Sequence, residues 1–178
     1  MQSGARRDVH AFTLLEMLTT VAALIVVLGL MVSLARYVRN ELAVEVTKEL
    51  LHRLDGMMQQ YTSRHGQPPN AAALIPSGLP PDKLPDEKTL QQNAAANNRD
   101  VVRALRSEGL LSDESLGGLP QSIYNDMTVR DAWGSPIAFM PSQHEGIGMA
   151  LQDKSFFFSA GPDQQYSTQQ DNLYSYEK

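Results

Sequence analysis

Residues 11–35 read AFTLLEMLTTVAALIVVLGLMVSLA. Met17 to Ala35 is a run of 19 positions without a charge, and the run from Phe12 to Ala35 covers 24 positions with Glu16 as its one ionisable side chain. A helix rises about 1.5 Å per residue, so about 20 residues cross the hydrocarbon core of a bilayer. The polar members are Thr19, Thr20 and Ser33, whose hydroxyls can bond to carbonyls of their own helix. A core helix of a globular domain keeps a polar face, whereas this stretch is apolar all round. It reads as a membrane-spanning helix. A secretory signal peptide has a shorter apolar stretch followed by a small-residue cleavage site; here Arg36, Tyr37, Val38 and Arg39 carry the helical pattern onward. Arg6 and Arg7 precede the run and Arg36 and Arg39 follow it, so basic residues alone do not orient it. The short stretch before it and the long one after it favour a cytoplasmic N-terminus.

Glu16 is the informative departure. A carboxylate within an apolar membrane helix costs several kcal/mol unless it is paired, so it marks function by default. Ala11-Phe12-Thr13-Leu14-Leu15-Glu16-Met17, followed at once by the apolar run, resembles the N-terminal signal of type IV pilins and pseudopilins. The resemblance implies a prepilin peptidase that cuts between Ala11 and Phe12 and methylates the new amine of Phe12. It also implies that Glu16, fifth in the processed chain, pairs with the N-terminal amine of a neighbouring copy during filament assembly. Burying an ammonium and a carboxylate together costs less than burying either alone, which agrees with that role. The family prefers glycine before the cut, and this chain has alanine.

The helical pattern continues. Between Arg36 and Arg64 there is no proline and one glycine, Gly56. Val38, Leu42, Val46, Leu50, Leu54, Met57, Met58 and Tyr61 recur at spacings of three or four, which predicts one apolar stripe. Gly66, Pro68 and Pro69 stop the helix. The stripe drifts and does not keep a strict heptad, so it is expected to pack on a globular head and not in a coiled coil.

Residues 68–85 contain six prolines and read as loop. A short helix is expected over Arg99–Ser107, capped by Asn97 or Asn98 and ended at Gly109. The tract Gln91–Asn98, QQNAAANN, is compatible with helix or with a connection. Asp131-Ala132-Trp133-Gly134-Ser135-Pro136 is a turn, followed by expected strands at Ile137–Met140, Gly148–Leu151 and Ser155–Phe158, the last two joined as a hairpin through Gln152-Asp153-Lys154. Trp133, the only tryptophan, is expected in the core. Three strands and a long helix give an α+β fold. The expected organisation is a leader at 1–11, a membrane helix at 12–35, an amphipathic stem at 36–66, and an extracytoplasmic head at 67–178 with a variable insert.

DAWGSP together with Ser159-Ala160-Gly161-Pro162-Asp163 and Asp171-Asn172 looks like the head of the major pseudopilin of type II secretion systems. That resemblance implies the pilin fold, in which a long N-terminal helix packs on a small antiparallel sheet. It also implies a calcium loop in which Asp163 and Asp171 donate carboxylates while the Ala160 carbonyl and Asn172 complete the shell. Calcium takes six to eight hard oxygens. Where related loops carry glycines and further acids, this chain has Gln164, Gln165, Tyr166, Gln169 and Gln170, so a hydrogen-bonded loop of the same shape is the alternative. The partners implied are other copies and other pseudopilins in a filament, a prepilin peptidase, and the secretion or pilus platform of the bacterial inner membrane. A type IV pilus or competence (minor) pilin, and a single-pass membrane-anchored binding module, are the alternative readings.

Composition narrows the rest. The chain has 178 residues, no cysteine and a formal net charge of −5, which removes disulfides, thiolate metal sites and a cysteine nucleophile. Residues 107–178 hold 3 Lys/Arg against 10 Asp/Glu, a net −7, so no basic surface is available there for nucleic acid. His10, His52, His65 and His144 share no metal-binding spacing, His52 reads as a surface residue, and Asp86, Glu87 and Asp100 have no evident partner. A structural, non-enzymatic role is expected.

Overall fold

In the computed structural model the described residues are 13–80, 83–124, 127–150 and 154–177. Helix α1 spans Leu14–His65, 52 residues without interruption. Its start is set by Thr13, whose Oγ1 accepts the Glu16 amide at 3.2 Å while its carbonyl accepts the Met17 amide at 3.1 Å. Its end is set by Gly66 at φ +77°, whose N–H reaches the Thr62 carbonyl at 2.7 Å.

The chain forms two units, Met1–Arg39 and Asn40–Lys178. In the first, every described residue is exposed, including Leu18, Leu24, Ile25, Val26, Leu30 and Leu34. This part of α1 is long and apolar enough to cross a membrane. In the second unit α1 becomes amphipathic: Thr47, Leu50, Leu51, Leu54, Met57 and Met58 are buried. The expected stripe therefore engages the head from Val46 to Tyr61, which pack against the core, while Val38 and Leu42 are exposed.

Helix α2 spans Glu87–Ser107 and so begins twelve residues before the expected start. Its N-cap is Asp86, whose carboxylate accepts the Thr89 amide at 3.1 Å and the Thr89 hydroxyl at 2.7 Å, which holds that carboxyl below the usual range. The alanine-rich tract 91–98 is helical because alanine loses little on entering a helix, and Leu90, Ala94, Asn97, Asn98, Val101, Val102 and Leu105 form one buried face. Asn97 and Asn98 are thus not caps. Gly109 at φ +68° ends the helix, with the Leu110 amide on the Leu105 carbonyl at 2.9 Å.

Strands β1 (Ala138–Met140), β2 (Phe156–Ser159) and β3 (Leu173–Tyr174) form one antiparallel sheet in the order β1-β2-β3. Successive side chains of a strand point to opposite faces. Phe139 and Phe157 enter one cluster with Leu50, Leu54 and Met58 of α1 and Val101, Val102 and Leu105 of α2. Ala138, Met140, Phe156, Phe158 and Tyr174 enter the other with Leu90 and Ala94 of α2 and with Tyr166. Burial on both faces explains the unbroken run Phe156-Phe157-Phe158.

Two further expectations are corrected here. Gly148 is not in a strand: it makes an isolated bridge with His144, and β2 is already paired on both sides. A Cβ at Gly148 would lie 2.6 Å from Tyr174 Cε1, so this backbone is a close-packed turn under the ring. Leu151, Gln152 and Asp153 lie outside the described residues. Trp133 is half-buried and belongs to neither cluster; the aromatic core is Phe139, Phe156, Phe157, Phe158, Tyr166 and Tyr174.

Candidate functional site

At the N-terminal end Glu16 lies in the first turn of α1, three residues after its cap Thr13. The spacing Thr13-x-x-Glu16 fits a carboxylate to the positive end of the helix. Its carbonyl accepts the Thr19 hydroxyl at 3.0 Å and the Thr20 hydroxyl at 2.5 Å, so the polar residues of this stretch are satisfied within the helix. Glu16 is exposed among the apolar side chains Leu14, Leu15, Met17 and Leu18, all exposed as well. An apolar surface with one carboxylate is chemically suited to a partner that brings apolar area and a cation. Ala11 and Phe12 lie outside the described residues.

In the head, Asp131 is the buried hub, 1% exposed. Its Oδ1 accepts the amides of Trp133 at 3.0 Å and Ser135 at 2.8 Å, and its Oδ2 accepts the Ser159 hydroxyl at 2.6 Å. Burial raises the Asp131 carboxyl above its ordinary range, and these bonds hold it back. Ser159 Oγ in turn accepts the Gly161 amide at 3.0 Å. Gly161 is at φ +69° with the Asp171 carbonyl 1.9 Å from where a Cβ would stand, so only glycine fits. Two more bonds join turn and loop: Gln164 Nε2 donates to the Trp133 carbonyl at 3.2 Å and Tyr166 Oη to the Pro136 carbonyl at 2.5 Å. The structure thus brings the DAWGSP turn and the 159–172 loop together. Burial pushes the Tyr166 phenol far up and that of Tyr174 up to about 12, so both remain proton donors.

Glu87, at the first position of α2, closes the loop from the other side. Its Oε1 accepts the Tyr166 amide at 2.9 Å; its Oε2 accepts the Ser167 amide at 3.3 Å and the Ser167 hydroxyl at 3.0 Å. Asp100 likewise has a partner, the Ala72 amide at 3.0 Å on its Oδ2. Neither contact is visible in the sequence, because the partners are backbone amides distant along the chain.

The expected calcium donors all lie on the loop 160–172. Asp163 Oδ1 accepts the Gln165 amide of its own loop at 2.9 Å, Asp171 is exposed, and Ala160 is wholly buried. Asn172 donates to the Tyr166 carbonyl at 3.1 Å, and its Oδ1 is buried without a partner. Among the described residues, no three Asp, Glu or His side chains converge.

Two of the described histidines have defined partners. His65 Nε2 lies 3.1 Å from Glu108 Oε1 and its ring stacks on Tyr61, while His144 Nδ1 accepts the Gly146 amide at 3.1 Å. His52 is exposed, as expected. Asp55, half-buried on α1 and hydrogen-bonded by Gln59 Nε2 at 2.7 Å, has its carboxyl raised by burial and lines a concavity of about 750 Å³ with Met58, Lys154 and Tyr176. No protein-family profile, curated protein or solved structure matches the chain.

Proposed function

We propose that this chain is a pilin-like structural subunit, a pseudopilin, that is stored in the bacterial inner membrane and assembled into a helical filament. The observation that carries the reading is Glu16, an exposed carboxylate one turn into an unbroken apolar helix and directly behind Ala11-Phe12. In this reading a prepilin peptidase cuts before Phe12 and methylates its amine, and the single span leaves the head on the extracytoplasmic side. Copies associate through the apolar part of α1. The Phe12 ammonium of one copy and Glu16 of its neighbour neutralise each other, which sets the axial register because either charge buried alone is costly. The platform of a type II secretion-like or type IV pilus-like system supplies the extraction step.

Glu16→Ala tests the pairing. It leaves a neighbour's ammonium buried alone, at a cost of about 3–5 kcal/mol per contact. With the assembly platform present, the variant is expected to insert in the membrane and to be absent from sheared filaments. Incorporation equal to that of the unaltered chain would refute the pairing.

A further inference from the structure

We infer that the C-terminal loop 160–172 is locked by the protein's own carboxylates, with Glu87 as the principal clamp, and is held closed without a calcium ion. The inference stands apart from the filament reading, since it concerns only how the head is held closed.

Three observations carry it. Glu87 offers both oxygens to consecutive amides, Tyr166 and Ser167, and takes the Ser167 hydroxyl as well. A carboxylate accepting several N–H and O–H bonds does for a loop what a cation does for a ring of carbonyls: it gives dispersed dipoles one charge to point at. The sign is reversed, so the loop presents donors inward where a calcium loop presents oxygens. Second, the glutamines that replace the expected acids act as donors. Gln164 Nε2 reaches the Trp133 carbonyl and Gln169 Nε2 the Glu145 carbonyl, each tying the loop to a different part of the head. Third, the loop's two ends are fixed without an ion. Gly161 packs its Cα against the Asp171 carbonyl, and its amide is held by Ser159, which is itself held by Asp131. Among the described residues of the loop, the one buried side-chain acceptor without a partner is Asn172 Oδ1, a neutral oxygen. A water molecule can serve it.

The test uses the full chain in detergent micelles, with amide hydrogen exchange read over peptides from 160–172 and thermal unfolding recorded in parallel. For the unaltered chain, exchange in the loop and Tm are expected to be the same in EGTA and in excess calcium chloride. Glu87→Ala is expected to speed loop exchange about tenfold or more while peptides from β1 and β2 stay protected. Glu87→Gln, which keeps one acceptor oxygen, falls between. Faster loop exchange or a lower Tm of the unaltered chain in EGTA overturns the inference, as does unaltered loop exchange in Glu87→Ala. If Glu87→Ala fails to fold, the EGTA arm and Glu87→Gln decide.

Discussion

Asp131 shows how much a single buried carboxylate organises in this head. Three donors converge on it, from Trp133, Ser135 and Ser159, and its burial raises its proton affinity. Asp131→Ala leaves those donors without an acceptor and is expected to cost about 2–4 kcal/mol, seen as a lower urea midpoint at unchanged slope. Asp131→Asn keeps shape and one acceptor and is expected to cost less. The pH dependence separates the two effects. The folded-state value lies above the ordinary 3.8, so as pH falls the folded protein takes up this proton before the unfolded chain does. Asp131 therefore adds stability that is fully present below about pH 3.8 and is lost as pH rises through its folded-state value. Asp86 works in the opposite sense: its cap contributes above 3.8 and is lost as pH falls through its lowered value. Unfolding measured across this range should show the Asp131 contribution vanish in Asp131→Asn while the Asp86 contribution persists.

Among the elements, α2 is where sequence and structure part most clearly. An Asn-Asn pair ahead of an amphipathic segment reads as a helix start, yet Asn97 and Asn98 sit mid-helix along the outer edge of β1. Asn97 Oδ1 accepts the Phe139 amide at 2.8 Å and its Nδ2 donates to the Phe139 carbonyl at 3.1 Å, so its side chain takes the place of a neighbouring strand. Asn98 does the same for Val129, at 3.0 Å and 2.8 Å, and adds the Ile137 carbonyl at 2.7 Å. An open strand edge is a template for pairing with another chain; Asn97 closes that of β1 at Phe139, and Asn98 holds the segments that precede it. Asn97→Ala and Asn98→Ala are each expected to cost about 2–4 kcal/mol, because each strands buried backbone groups. Asn→Asp at either site should cost more than its small size change suggests, since a carboxylate cannot donate to those carbonyls. Thermal unfolding of the four variants checks this; a cost within experimental error for Asn97→Ala would contradict the edge-closing role.

Helix α1 was legible because the 12–35 run and the 46–61 stripe are long and periodic, and its boundaries follow from Thr13 and Gly66. The start of α2 was not, because the cap chemistry of Asp86 and Thr89 directly follows a proline-rich stretch that reads as loop. Strand β3 was not, because two residues carry no alternation, and Gly148 reads as strand in the sequence because the Tyr174 ring packed against it is a tertiary contact. Of the candidate sites, Glu16 was visible as a charge out of place. Asp131 and Glu87 were invisible as hubs, since their partners are amides at a distance.

For the whole molecule, charge and apolar area are segregated by unit. Residues 1–39 hold Arg6, Arg7, Arg36 and Arg39 against Asp8 and Glu16, a net +2, so residues 40–178 carry a net −7. The described residues of the first unit expose their apolar side chains, and the second unit gathers its core in two clusters on the faces of one sheet. Lacking cysteine, the head is held by those clusters and by the Asp131, Glu87 and asparagine networks. The proposal joins these parts: an apolar helix for association, Glu16 for register, and a self-closed head for the surface. Its central claim is that the chain is cut before Phe12 to create the cation that Glu16 awaits. The direct measurement is the mass of the N-terminal peptide of the membrane-extracted chain after co-expression with a prepilin peptidase. The account predicts a chain beginning at N-methylated Phe12; a chain that still begins at Met1 would contradict it.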